Sequence, residues 1–405
     1  MRKNSVWMIS IFALLVFLVA LPLATQTASG SNGAADPNGA VRLLAVNVGK
    51  ADALLVFVQG KTYLIDTGTA RSWGALRGAL ESMGIQRLDG VFLTHTDKDH
   101  MGGMASLASS SVTVDAWYAS AMYTDIKKEK HPALLAAASR SAQVQWLKAG
   151  DEVAVSDTAR FLVLGPITLD PAIENNNSLV MRLTTPQGDM LLAGDMEFAE
   201  EKALMDADSI SPCEVLKVSH HGENDSTSIA FAMKVSPQVA VISTNSLEES
   251  DTPHKTVLAA LKQAGAQIAV TQNAKGGVLV TLADKKAKAE LVEFANQPMV
   301  KNTVQLTGMA LSHETLSLSN TGSEEVSLAG WYVYSTRGEE IYFFPDDAQI
   351  GPGETKVLGT QATAVSVDFL WADKNVWHSK KKDEALLYDP YGRIVSRLSN
   401  GLTQE

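Results

Sequence analysis

One stretch limits what this chain can fold into more than any other: Val91-Phe92-Leu93-Thr94-His95-Thr96-Asp97-Lys98-Asp99-His100-Met101-Gly102-Gly103. Val91, Phe92 and Leu93 are β-prone and apolar, and read as a buried strand. Four metal-capable side chains follow within six positions: His95, Asp97, Asp99 and His100. A strand fixes the base of the loop that leaves its carboxyl end, so such side chains can be aimed into one pocket. Gly102-Gly103 then permits a tight turn and close backbone approach. Imidazole and carboxylate together suit zinc, manganese or iron better than calcium or magnesium. The competing reading is a solvated polar loop, and so many ligand-type residues at this spacing argue against it.

The rest of the chain sets the context. Its 405 residues allow two or three domains. The net charge of -11 gives no general pull on nucleic acid, so any such binding must come from local cations or metal. Cys213 is the only cysteine, which excludes an intramolecular disulfide and a multi-cysteine zinc site. Arg2-Lys3 precedes an apolar run from Val6 to Ala24, as in a secretory signal, with small residues at Ala28-Ser29-Gly30. The run is also long enough for an anchor. Residues 1–30 are therefore expected to be a signal peptide or anchor, and 31–40 a Gly/Ala/Ser/Asn linker. The body is expected outside the cytoplasm, secreted or held by that anchor.

Strands are expected at 42–46 and 53–58, and a helix over 71–83, where Leu76, Leu80 and Met83 form one apolar stripe and Gly84 closes the end. Strand, helix, strand suggests a sheet covered by helices. Further strands are expected at 190–193, ending in Gly194-Asp195, and at 215–218, ending in His220-His221-Gly222. Strands over 239–243, 267–271 and 277–283 follow, with a helix after His254.

The run His-x-Asp-x-Asp-His with Gly-Gly at 95–103 resembles the signature of the metallo-β-lactamase superfamily, whose usual form has His at position 97. The Asp form resembles the hydrolase domain of ComEC-like competence proteins. Supporting segments are Asn47-Val48-Gly49-Lys50-Ala51-Asp52, similar to their Asp-Val-Gly-Gln-Gly-Asp, and Asp66-Thr67-Gly68. Asn47 and Ala51 depart from the pattern. So do the loop Glu223-Asn224-Asp225 after Gly222, and Thr252, where the family has the first His of His-Pro-His.

The resemblance implies an αββα metallo-β-lactamase sandwich over residues 41–296 and two divalent ions, Zn2+ or Mn2+. It implies His95, Asp97, Asp99, His100, Asp195 and His220 as ligands, with Asp195 bridging and Asp66 supporting the metal loop. Asp99 is expected to orient the nucleophile, His254 to steady charge on the phosphate or to cap the following helix, and His221 to neighbour the site. Asn176 or Asn177 is expected to face substrate.

From about Asn302 short alternating runs separated by turn residues suggest an antiparallel sandwich. Residues 302–400 resemble a lamin-tail domain, an immunoglobulin-like all-β sandwich, with Leu328 and Trp331 as core anchors. As a separate domain it is expected to share few contacts with the first. Nine Lys and Arg face fourteen Asp and Glu from Lys301 on, so the tail has no generic attraction for DNA.

The reading is an exported metal-dependent phosphodiesterase or nuclease. Its partner would be nucleic acid or a related phosphodiester, with the tail available for contact at the cell surface. Two alternatives stay open: a lactam, lactone or ester hydrolase on the same fold, and a surface binding protein with a degenerate metal domain.

Overall fold

The computed structural model describes residues 26–28, 39–122, 144–294 and 303–402, apart from 339, 346, 362, 364, 373, 374 and 390–393. The expected signal or anchor segment and linker lie outside the described residues, except for 39–40 and Gln26–Ala28, which runs parallel to Val292–Phe294. Among the described residues no helix is long and apolar enough to cross a membrane.

Two sheets lie face to face. Across the first, the order is Gln26–Ala28, Lys286–Phe294, Gly277–Ala283, Val41–Val46, Leu54–Val58, Lys61–Ile65, Gly90–Leu93, Trp117–Ser120 and Val144–Leu147. The second runs Glu152–Ala154, Arg160–Gly165, Val180–Thr185, Gly188–Leu192, Val215–Lys217, Val239–Ile242 and Gln267–Val270. Alternate side chains fill the space between them, among them Leu43, Val56, Tyr63, Phe92, Phe161, Met181, Met190 and Val241. The opposite face of the first sheet is covered by the helices Trp73–Ser82 and Met104–Ser109. The outer face of the second is covered by Phe198–Asp206, Ile229–Val235 and Lys255–Gln263. This is the αββα layering.

Local rules account for the elements. In the helix Trp73–Ser82, Leu76 and Leu80 are buried, and Met83 at its end is buried too. Gly84 takes φ +68°, and Ile85 N–H then reaches back to the Leu80 carbonyl, a Schellman closure. Val91–Leu93 pairs in parallel with strands on both sides, so its side chains are buried on both faces, as a continuous apolar run requires. The strand Lys286–Phe294 is absent from the sequence expectation, because Lys-Ala-Lys-Ala-Glu reads as polar surface. It pairs with Gly277–Ala283 and carries the parallel Gln26–Ala28 strand on its other side.

The tail is a second β structure. Strands Val304–Ala310, Thr315–Asn320, Thr355–Thr360 and Phe369–Trp371 form one sheet; Ile341–Phe343, Tyr332–Ser335, Glu384–Tyr388 and Ile394–Ser399 form the other. Leu328 and Trp331 are buried in its core with Leu316, Val333, Leu358 and Leu387. The contact between the domains is local but apolar. Tyr332, Tyr334, Leu386 and Tyr388 are buried in one cluster with Trp73, Leu76 and Leu80 of the first domain. Gly330 lies against the Arg77 guanidinium.

Candidate metal centre

The site collects loops from the ends of strands in both sheets. Val91–Leu93 delivers His95 to His100, Gly188–Leu192 delivers Asp195, and Val215–Lys217 delivers His220 and His221. The loops are tied by backbone. Thr67 N–H donates to the His100 carbonyl at 2.6 Å, Asp52 N–H to Asp99 at 3.1 Å, and Leu179 N–H to Thr94 at 3.0 Å. A Cβ on Gly103 would lie 2.3 Å from the Thr67 carbonyl oxygen, so only glycine allows this approach.

Asp99, His100, Asp195 and His221 converge, each offering one ligand atom within 4.8 Å of the others. His100 Nε2 lies 2.9 Å from Asp195 Oδ2 and 3.3 Å from His221 Nε2. His221 Nε2 is 3.2 Å from the same Asp195 oxygen and 3.4 Å from Asp99 Oδ2. The far nitrogens are anchored: His100 Nδ1–H donates to Asp66 at 2.8 Å, and His221 Nδ1–H to the Ser243 carbonyl at 2.9 Å. That fixes both tautomers with the lone pair of Nε2 turned inward, the orientation a metal-binding histidine needs. Asp66 also takes Thr94 N–H and Oγ1–H, so it supports the loop as the sequence reading has it.

Asp195 Oδ1 is buried and has no hydrogen-bond partner among the described residues. A buried carboxylate oxygen left open beside two inward-facing imidazoles fits a bound cation. Without one, charge crowds. Burial pushes the Asp195 and Asp99 carboxyls up, and the neighbouring histidines more than offset it, holding both well below the usual range. Burial pulls His221 down, but Asp195 and Asp99 outweigh it and lift it to about 9.

His95 is buried beside this quartet, its ring centroid 4.1 Å from that of His100. Its Nδ1 lies 3.1 Å from Thr94 Oγ1 and its Nε2 3.9 Å from Asp97 Oδ2. Thr94 already donates to Asp66, so it accepts from His95 Nδ1–H, which turns Nε2 toward Asp97. Burial, with the His100 charge adding to it, lowers His95 to about 4, leaving it neutral and able to ligate. His95 and Asp97 thus stand together as a second group beside the quartet.

Other expected residues are placed differently. His221, not His220, enters the quartet. His220 and His221 both have left-handed backbones (φ 46° and 53°), which swing the two rings apart to 6.3 Å between centroids. His220 instead lies with Glu197 and Asp225: Nδ1 meets Asp225 Oδ1 at 2.9 Å, and Nε2 accepts from Asn175 Nδ2 at 3.2 Å. Asn176 and Asn177 turn inward to hold their own loop. Asn176 donates to Asp170 and accepts from Glu197 N–H, and Asn177 bonds the backbone of Asp170 and Ile173. Asn175 is the member of that triplet that reaches His220. His254 caps the helix Lys255–Gln263, its Nδ1 bonding the Thr256 hydroxyl at 2.7 Å and amide at 3.3 Å.

Sequence reasoning passed over Asn175, Glu197 and Asp225, and the buried pair Lys217–Asp52 (2.7 Å) behind the quartet. Asp52 was visible as a motif position; its lysine partner was not, because Lys217 reads as an ordinary strand residue.

Fold and site together define a metal-dependent hydrolase of the metallo-β-lactamase type. The comparisons with known proteins agree: residues 46–246 match the profile of the metallo-beta-lactamase superfamily, and residues 271–401 that of the lamin tail domain. The chain therefore carries a metallo-β-lactamase superfamily domain followed by a lamin tail domain. The lamin tail match begins at 271, within segments that the structure builds into the first domain.

Among curated proteins, the chain is 30% identical over 236 residues to ComE operon protein 3 of Bacillus subtilis, covering 54% of this chain and 30% of that protein. It is 28% identical over 221 residues to Recombination protein 2 of Haemophilus influenzae, covering 53% and 25%. The chain thus spans less than a third of the length of these relatives. Among solved structures, it is similar to the metallo-beta-lactamase fold protein YhfI from Bacillus subtilis, with 13% identity, TM-score 0.41, and 60% and 99% of the two chains covered. It is also similar to a diphosphatase from the PhnP family, with 15% identity, TM-score 0.39, and 60% and 98% covered.

Proposed function

We propose that this chain is an exported metal-dependent phosphodiesterase acting on nucleic acid or a related phosphodiester. The observation that carries the hydrolytic reading is the convergence of His100 and His221 Nε2 on Asp195 and Asp99, with both Nδ1 atoms anchored behind. The relative named Recombination protein 2 supports DNA as the substrate.

His100, His221, Asp99 and Asp195 would hold one ion, and His95, Asp97 and Asp195 a second. Zn2+ or Mn2+ suits this mixed nitrogen and oxygen set. Such ions supply a nucleophile near neutral pH and offset charge on phosphoryl oxygens. Asp66 and Ser243 keep the two imidazoles in one tautomer, so no ring flip interrupts the site. Asp99 would also orient the attacking group by accepting a hydrogen bond from it. Burial of His95, His100 and Asp195 keeps solvent from screening these charges. Arg2-Lys3 and the apolar run after them support export, and the tail is the part proposed to contact the cell surface.

The test is a screen of the purified full chain with Zn2+ or Mn2+ over bis(4-nitrophenyl) phosphate, DNA, RNA, a lactam and a lactone. Turnover of the phosphodiesters, with loss of metal and rate in Asp195→Ala, is expected. Turnover confined to the lactam or lactone would overturn the substrate assignment. Full-length protein recovered from soluble cytoplasm would overturn export, and cells that release all of it on washing would overturn surface contact.

A further inference from the structure

Lys50 lies in the loop between the strands Val41–Val46 and Leu54–Val58, at the rim of the metal centre. Its loop is docked on both sides. Asp52 N–H donates to the Asp99 carbonyl at 3.1 Å, and Gly68 N–H donates to the Asp52 carbonyl at 2.7 Å. The Lys50 amide itself is held by Glu248 Oε2 at 3.1 Å. The backbone is thus tied to the residue that carries a ligand carboxylate, and the flexible stem is what remains free to move.

The ammonium ends 2.5 Å from Glu223 Oε1. Glu223 sits two residues past His221, and the same oxygen is 3.8 Å from His220 Nε2. Both side chains are partly open, 19% for Lys50 and 27% for Glu223. An ion pair partly open to water adds little to stability, so stability is a weak reason for it. Its position is more telling. Burial lowers the Lys50 pKa, and Glu223, then Asp99 and Asp195, raise it past its ordinary value. The ammonium therefore stands within the field of two ligand carboxylates, yet its partner is a carboxylate outside the quartet.

We propose that Lys50 is an anion-binding residue for the substrate's phosphodiester group, and that Glu223 holds it until substrate arrives. This rests on the phosphodiesterase reading above. On binding, a non-bridging phosphoryl oxygen replaces Glu223 Oε1 as the partner of the ammonium. No bond is made or broken other than hydrogen bonds. The exchange gives a net-acidic protein a local cation where a monoanionic diester needs one, and a neutral ester gains nothing from it. Lys50 and Glu223 together thus set a preference for charged substrates.

The test uses the metal-loaded full chain and reads binding by calorimetry, with diethyl phosphate as the anionic probe and triethyl phosphate as its neutral counterpart. Metal content is measured on every variant. Lys50→Gln is expected to weaken diethyl phosphate by about ten-fold or more, since a hydrogen bond to a charged group is lost, with triethyl phosphate and metal content unchanged. Glu223→Gln is expected to tighten diethyl phosphate several-fold at low salt, because the competing carboxylate is gone. The double variant should match Lys50→Gln, as Glu223 acts only through Lys50. Equal anion binding by wild type and Lys50→Gln overturns the assignment, as does equal weakening of both probes. Lys50-dependent anion binding by a wild type that hydrolyses no phosphodiester supports the anion site and overturns the hydrolytic reading instead. A wild type that turns over phosphodiesters but binds no diethyl phosphate overturns the anion site and leaves the hydrolytic reading standing.

Discussion

Replacing Lys217 by methionine tests how the metal loops are supported from behind. Lys217 closes the strand Val215–Lys217, and its ammonium meets Asp52 Oδ2 at 2.7 Å and the Val218 carbonyl at 2.8 Å. Both side chains are almost fully buried, at 1% and 2% exposure. Methionine keeps the length of the stem and deletes the charge. Asp52 is then buried without the Lys217 ammonium; its other oxygen, Oδ1, already has no hydrogen-bond partner among the described residues. Removing one partner of a buried pair costs about 3–5 kcal/mol, because the survivor's desolvation is no longer offset. The double variant Asp52→Asn/Lys217→Met removes both charges and should recover most of that loss. Urea unfolding of chelated protein, followed by tryptophan fluorescence, measures both. The damage should also reach the centre: Asp52 N–H holds the Asp99 carbonyl, so Lys217→Met should bind metal more weakly and the double variant more strongly again. A Lys217→Met protein within about 1 kcal/mol of wild type, or a double variant as damaged as the single, refutes the reasoning.

His221→Ala should lose metal while His220→Ala keeps it, as elemental analysis after chelator competition will show; the reverse result would return the ligand role to His220. Glu200 accepts Ile167 N–H at 2.8 Å in a buried setting that pushes its carboxyl up to about 7 from 4.5. Between those values the unfolded chain has released a proton that the folded chain keeps, so stability falls as pH rises. Glu200→Gln should match wild type at pH 4 and exceed it at pH 8, and equal urea midpoints at both would count against this. Tyr388 stacks on Tyr332 with centroids 4.6 Å apart, inside the cluster shared with the first domain. Tyr388→Ala should therefore cost about 3–5 kcal/mol, and a protein ending at 296 should expose that face and aggregate; a soluble, fully stable truncated protein would show the contact is dispensable.

Much of the centre was legible because ligand residues must be densely spaced on strand-anchored loops. The groups at 95–100 and at Asp195 announce themselves by residue type alone. The choice between His220 and His221 was not legible, since it depends on two consecutive left-handed residues that no propensity favours. The asparagine triplet failed similarly. Neighbours on a tight 3-10 turn point in different directions, and only the fold shows that Asn175 faces His220 while Asn176 and Asn177 brace the loop. His254 had two cheap readings, and the hydrogen bonds of its Nδ1 to Thr256 show the cap.

The tail shows where alternation misleads. Tyr332–Ser335 is buried at every position. Trp331 and Val333 point into the tail's own core, while Tyr332 and Tyr334 point into the cluster with Trp73 and Leu76. Glu384–Tyr388 repeats this, with Ala385 and Leu387 on one side and Leu386 and Tyr388 on the other. A strand apolar on both faces needs cover on both, and Trp331-Tyr332-Val333-Tyr334 carries that signal in the sequence. The helix that shares the cover, Trp73–Ser82, begins just past the loop 67–72. That loop holds the His100 carbonyl through Thr67 and lies so close to Gly102 that a Cβ there would be 2.6 Å from Ala70 N. Tail and metal loop therefore lean on the same segment from opposite ends. Tyr334 of the tail also lines a cavity with Lys98 and Gly102 of the metal loop, so the second domain abuts the first on the helix side of that loop.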